Sequence, residues 1–265
     1  MRDAVPVIER GESVLYYEPY GSGRPLVFLH GMAGNTLVWW QQVAFLEQRY
    51  RCILVDQRGW GRSTGSLPEP WTDAFVPDLE AVLEELGVEE FAVVAQSMGG
   101  WTVDAFCRSN PGRVRAAVMT GTTGGYVPLA TEAVYREARE TAAEIRSLWR
   151  AGQGPHHALG PRAYKEQPAL ARLYEMVVRL NRPLNADLDA GLPLSTENRL
   201  RLPENVLFIY GEEDLVCPRE AIEATAAELP GSVVRCMARS GHSVYFERAG
   251  AFNREVADFL SARYR

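Results

Sequence analysis

Phe91-Ala-Val-Val-Ala-Gln-Ser-Met-Gly-Gly100 is the stretch on which the fold turns. Its first five residues form a short apolar run, the pattern of a strand buried on both faces. Ser97 follows at once, and a helical pattern from Met98 to Arg108 starts directly after it. A chain that passes from strand to helix through small–x–Ser–x–Gly bends sharply at the serine. Ala95 and Gly99, two residues to either side, let strand and helix approach closely, and the bend leaves Oγ exposed at the strand's carboxyl end. A serine that merely caps a helix reads the same way, so the surrounding sequence has to decide.

Outward from this stretch, similar apolar runs recur at Pro25 to His30, Arg51 to Asp56, Val114 to Met119 and Asn205 to Tyr210. Val233 to Met237 is strand-like as well, and Val14 to Glu18 reads as an early antiparallel strand. Helical patterns lie between them. Phe75, Leu79, Val82, Leu83 and Leu86 make one apolar stripe that ends at Gly87; Arg219 to Leu229 and Ala249 to Ser261 are further helices. Such alternation predicts an α/β fold: a mostly parallel central sheet with helices on both faces. The alternation stops after Thr120. Residues 126–201 show no convincing strand but two helices, Thr131 to Arg150 and Pro168 to Leu180, joined by a loop rich in glycine and proline. The expected organisation is a core made of 1–125 and 202–265, with 126–201 inserted as a helical lid. The insert holds eleven basic and nine acidic residues, whereas the whole chain carries a net charge of −6.

A serine nucleophile needs an imidazole within hydrogen-bond reach. The chain has four histidines: His30, His156, His157 and His242. His242, in Arg239-Ser-Gly-His-Ser243, falls in a loop after a strand, where sites in α/β sheets are built. His30 suits a structural turn, and His156 and His157, in the insert's Gly/Pro-rich loop, suit a solvated or a substrate-adjacent place, the solvated one being favoured. The base in turn needs an orienting carboxylate. Tyr210-Gly-Glu-Glu-Asp214 leaves a strand through a glycine turn; Asp214 is the best placed acid, Glu212 and Glu213 are rivals from the same loop, and Asp104 is a weaker one on the helix after Ser97. His30-Gly-Met-Ala-Gly-Asn35 also follows a strand, and its Met32 amide, with that of Met98, is placed to bind a developing oxyanion.

The order Ser97, Asp214, His242, each at the end of a different strand, resembles the α/β-hydrolase fold family over nearly the whole chain. Asp56-Gln-Arg-Gly-Trp-Gly-Arg-Ser63 matches a turn that is structural in that family, Gly211-x-x-Asp214 and Ser240-Gly-His242 match its acid and base loops, and the helical insert falls where its members carry a lid. Ala95 departs from the glycine usual at that position. The resemblance implies a serine hydrolase of a small carboxylic ester, lactone or thioester, working without a metal or other cofactor. Related enzymes on the same fold cleave carbon–carbon bonds of vinylogous ketoacids or perform other acyl transfers, and some members are ligand receptors; the fold alone does not choose. Haloalkane dehalogenases and epoxide hydrolases are disfavoured, because they place an aspartate where Ser97 stands.

Composition narrows the partners. With a pI near 5.4 the chain lacks the basic footprint of a nucleic-acid binder. No run approaches the ~18 apolar residues of a membrane span, and Met1 to Arg10 has no apolar stretch of a signal peptide. Four scattered cysteines without a CxxC pair read as free thiols and a cytoplasmic setting. A small-molecule substrate is the expected partner; the sequence is silent on oligomeric state.

Overall fold

The computed structural model describes residues 6–181 and 187–265. Residues 1–5 of the expected core and 182–186 of the expected insert therefore lie outside the described residues.

The buried runs form one eight-stranded sheet. In chain order the strands are β1 (Val7–Arg10), β2 (Ser13–Tyr20), β3 (Arg24–Leu29), β4 (Tyr50–Asp56), β5 (Phe91–Gln96), β6 (Val114–Thr120), β7 (Val206–Gly211) and β8 (Val233–Met237). Their spatial order is β1-β2-β4-β3-β5-β6-β7-β8. β2 is antiparallel to β1 and to β4, and the remaining pairs are parallel. The central strand shows why its sequence is continuously apolar. Side chains alternate across a strand: Ala92 and Val94 enter one core, Phe91, Val93 and Ala95 the other, and all five are buried.

Helices α1 (Trp40–Leu46) and α10 (Ala249–Arg263) cover the first face through Val43, Leu46, Phe252, Val256 and Leu260. Helices α2 (Thr72–Glu85), α3 (Met98–Ser109) and α8 (Arg219–Ala227) cover the second through Val82, Leu83, Val103, Phe106 and Ile222. Among the described residues, the chain between β6 and β7 contains no strand. It carries α4 (Glu132–Arg150), α5 (Ala163–Glu166), α6 (Pro168–Val178) and α7 (Leu188–Gly191). α6 joins the first core through Ala171, Tyr174, Val177 and Val178, while Tyr135 of α4 joins the second. One further turn, α9 (Val244–Glu247), precedes α10. No described helix is long and apolar enough to cross a membrane.

Two sequence signals prove structural. The Asp56 carboxylate accepts the Thr36 amide at 2.6 Å and the Arg62 amide at 2.8 Å, tying the turns after β3 and β4 together. His30 is fully buried, accepts the Gln57 amide on Nε2 at 3.0 Å and uses Nδ1 on the Gly31 carbonyl at 2.7 Å. Burial lowers its pKa, so it remains a neutral turn residue.

Candidate active site

Ser97 sits between β5 and α3 at φ 48° and ψ −114°, a strained backbone for a residue with a side chain. The strain is held from both sides. The Ser97 amide donates to Thr120 of β6 at 3.0 Å, and its carbonyl accepts the Gly100 amide at 2.8 Å. Gly99 lies so near the Leu29 carbonyl that any Cβ would collide with backbone. Ala95, the departure from the usual glycine, fits: its methyl is buried in the sheet core and the serine still takes the strained geometry.

β7 and β8 deliver the other two residues to the same carboxyl edge. The Asp214 side chain is 1% exposed and that of His242 5%. Asp214 Oδ2 lies 2.9 Å and Oδ1 3.1 Å from His242 Nδ1, and Oδ1 also accepts the Val216 and Cys217 amides at 2.8 and 3.0 Å. Gly121, at the end of β6 with φ +56°, makes room for the ring: a Cβ there would stand 2.9 Å from His242 Nδ1. Ser97 and His242 both line one cavity of about 70 Å³, with no hydrogen bond between their side chains. Catalytic contacts of this kind often close only when substrate arrives. Met32 and Met98 line the same cavity, and neither amide donates to any described acceptor. A larger open groove of about 870 Å³, lined by Arg108, Pro111, Leu200 and Arg201 among others, contains no nucleophile–base pair. Among the described residues no three His, Cys, Asp or Glu side chains are grouped to hold a metal ion.

The rival acids are occupied elsewhere. Glu212 accepts the Arg239 amide at 3.0 Å, Glu213 pairs with Arg162 at 2.8 Å, and Asp104 holds Arg108 and the Arg201 amide, both at 2.7 Å.

Residues 24–249 match the family described as alpha/beta hydrolase fold. A 2-hydroxy-6-oxononadienedioate/2-hydroxy-6-oxononatrienedioate hydrolase of Paraburkholderia phymatum is 31% identical, over 97% of this chain and 94% of its own. The chain belongs to the alpha/beta hydrolase fold family. A non-heme chloroperoxidase of Kitasatospora aureofaciens is 27% identical over 93% of this chain and 96% of its own. Among solved structures, Est816, described as an N-acyl homoserine lactone degrading enzyme, superposes with a TM-score of 0.75 at 26% identity, covering 96% of this chain and all of the other.

The reading of His156 and His157 as solvated needs correction. They are 2% and 9% exposed. Their rings stack with centroids 4.5 Å apart, and the edges of Trp149 and Tyr174 meet the His156 ring. The loop is tied down through its backbone: the Ala158 carbonyl accepts the Ser243 amide at 2.8 Å, and the Gly160 amide donates to Glu247 at 3.0 Å. Burial, with His242 and Arg146 nearby, takes His156 down to about 3, and burial beside His156 holds His157 well below the usual histidine value. Both are neutral at pH 7.

Glu247 is the residue that sequence reasoning missed; its only signal is a carboxylate five positions after His242 in an otherwise apolar turn. One oxygen accepts the Gly241 amide at 2.9 Å, beside His242, and the other accepts Gly160, so one side chain fastens the His156 loop to the His242 loop. Burial, opposed by those two amides and reinforced by the Glu213 carboxylate, raises its pKa from 4.5 to about 7. The folded chain keeps a proton that the unfolded chain releases, so Glu247 costs stability progressively as pH rises from about 4.5 through about 7. The loss is up to about 3 kcal/mol at 1.36 kcal/mol per unit. Chemical denaturation of the wild type and Glu247→Gln between pH 5 and 8 should show their stability difference moving toward the variant as pH rises. Parallel curves would refute this account.

Proposed function

We propose that the chain is a serine hydrolase in which Ser97 attacks a carbonyl carbon, His242 takes its proton, and Asp214 orients the imidazole and stabilises its charged form. The Met32 and Met98 amides bind the oxyanion, and water then releases the acyl group from Ser97. The observation that carries this reading is the buried His242–Asp214 pair beside a serine held at φ 48°. The helices of 126–201 act as a lid: Tyr135, Arg139, Ala142 and Arg146 of α4, with Leu188 and Leu192, wall the cavity opposite the sheet edge and limit the access of water.

For the bond cleaved, the relatives favour a carbon–carbon bond of a vinylogous ketoacid, since hydrolases of 2-hydroxy-6-oxo dienedioates match almost the full chain at about 30% identity. A carbon leaving group departs only when its electron pair is delocalised, and the conjugated ketoacid supplies that delocalisation; the proton taken by His242 returns to the departing carbon. A second reading, an ester or lactone hydrolase, is favoured by the 26% identical lactone-degrading structure and by the small cavity. Ordinary ligand clefts measure ~300–1,000 Å³, so a dienedioate enters only if the α4 wall moves, whereas a short ester or lactone needs less.

The test is turnover of the pure protein on a vinylogous diketoacid, a lactone series and p-nitrophenyl esters of graded length, with fluorophosphonate labelling in parallel. The diketoacid is expected to give the highest kcat/KM. A preference for lactones or esters by tenfold or more would establish the second reading, and absence of both labelling and turnover would make the protein a binding member of the family.

A further inference from the structure

Residues 135, 139, 142 and 146 of α4 recur at three- and four-residue spacing, so one stripe of that helix faces the cavity. Two of the four are arginines, seven residues and therefore roughly 10 Å apart along the axis. Their circumstances differ. Arg139 is paired with Asp189 at 2.6 Å. Arg146 is half-buried and has neither a hydrogen bond nor an ion pair with any described residue. An arginine stays charged in proteins, and burying a cation without a partner is costly. We propose that Arg146 is the receptor for an anionic group of the substrate, a carboxylate held while Ser97 attacks the carbonyl. The inference rests on the serine-hydrolase reading and names the substrate class of that same site: acyl compounds carrying a carboxylate on the side facing α4.

The surroundings agree. Burial, with Arg150 and Arg139 nearby, pulls the Arg146 guanidinium below its ordinary value, and Arg146 in turn helps hold His156 and His157 neutral. A bound carboxylate relieves the cation of both burdens. His157 Nδ1 is itself buried without a partner, a polar atom left over in the same neighbourhood. Three exposed arginines of this insert have partners of their own, Arg162 with Glu213, Arg172 with Glu175, and Arg179 over the Trp149 ring, while Arg150, also without a described partner, is exposed to solvent.

The experiment compares p-nitrophenyl valerate with mono-p-nitrophenyl glutarate, esters of equal chain length that differ in a terminal carboxylate. Wild type should prefer the glutarate ester. In Arg146→Met the glutarate-to-valerate ratio of kcat/KM should fall roughly 10- to 100-fold, the worth of a charge-assisted pair, and Arg146→Lys should fall between. An unchanged ratio in Arg146→Met overturns the proposal. Free glutarate should also compete with the valerate ester in wild type, and failure to inhibit overturns the proposal however the variants fold. The serine reading fails separately: it falls if Ser97→Ala still turns over the valerate ester, whatever the ratio does.

Discussion

Ser97→Ala is expected to abolish fluorophosphonate labelling and to lower kcat on the order of 10⁴-fold or more, while the thermal midpoint stays near that of the wild type. The size follows from the chemistry: without the nucleophile the remaining groups act on water, and loss of such a serine costs about as much as loss of a whole triad. The unchanged stability follows from the structure, because the Ser97 side chain makes no hydrogen bond with any described group and the strained turn is held by the backbone bonds to Thr120 and Gly100. Other serines are poor substitutes. Ser63 Oγ donates to the Asp56 carbonyl at 2.5 Å and Ser243 Oγ to the Tyr174 hydroxyl at 2.8 Å, both buried. Intact-mass and peptide mapping of the labelled protein checks the assignment. A label on Ser63 or Ser243, or labelling that survives in Ser97→Ala, would sink it.

That expectation was legible in the sequence because the features behind it are local. A strand buried on both faces has to be apolar throughout, and a turn that admits no Cβ at 99 has to carry glycine there. Hence Phe91 to Gly100 announces both the sheet and the exposed serine. The early antiparallel strand read at Val14 to Glu18 is β2, longer at Ser13–Tyr20. The candidate acid and base could be picked out for a similar reason: Gly211 and Gly241 flank turns so tight that a Cβ on Gly211 would strike the backbone of Ser240 and Gly241. What the sequence hid depends on contacts between distant segments. Gly152 to Pro161 has the composition of a solvated loop, and nothing local reveals that Ala158 and Gly160 are fastened to Ser243 and Glu247, burying His156 and His157. Helix α1 was hidden for the same reason. Its Trp40-Gln-Gln42 start reads as polar, and besides Val43 and Leu46 it is held by Gln42, whose side chain donates to the Tyr245 carbonyl at 2.8 Å and to Asn253 at 2.9 Å. The insert's arginines read from the sequence as solvated, ahead of a reading in which they favour an anionic substrate, and nothing singles out Arg146 until α4 is placed over the sheet edge.

Asp214→Asn should lower kcat by about 10⁴-fold, the loss typical when an orienting aspartate becomes an amide, and the local geometry explains why here. Asp214 Oδ1 accepts two backbone amides, from Val216 and Cys217, and lies 3.1 Å from His242 Nδ1, while Oδ2 faces that nitrogen more closely at 2.9 Å. An asparagine has a single acceptor oxygen. Turning that oxygen toward His242 would set its NH2 against two N–H donors in a buried site, which is costly. The oxygen therefore stays with Val216 and Cys217, and the NH2 points at Nδ1. With the NH2 the nearer of the two groups, the favoured arrangement has His242 accepting on Nδ1 and carrying its proton on Nε2, the tautomer that cannot take a proton from Ser97. Glu212→Gln and Glu213→Gln change no partner of the imidazole: Glu212 accepts the exposed Arg239 amide, and Glu213 pairs with Arg162, which is half exposed. Each should alter kcat by less than about threefold, since such a surface ion pair contributes roughly 0–1 kcal/mol. Steady-state kinetics of the three variants on one p-nitrophenyl ester, with the active fraction counted by fluorophosphonate, separates the cases. Equal losses in Asp214→Asn and Glu213→Gln, or an Asp214→Asn enzyme within tenfold of wild type, would mean that the acid has been assigned to the wrong residue of the β7 loop.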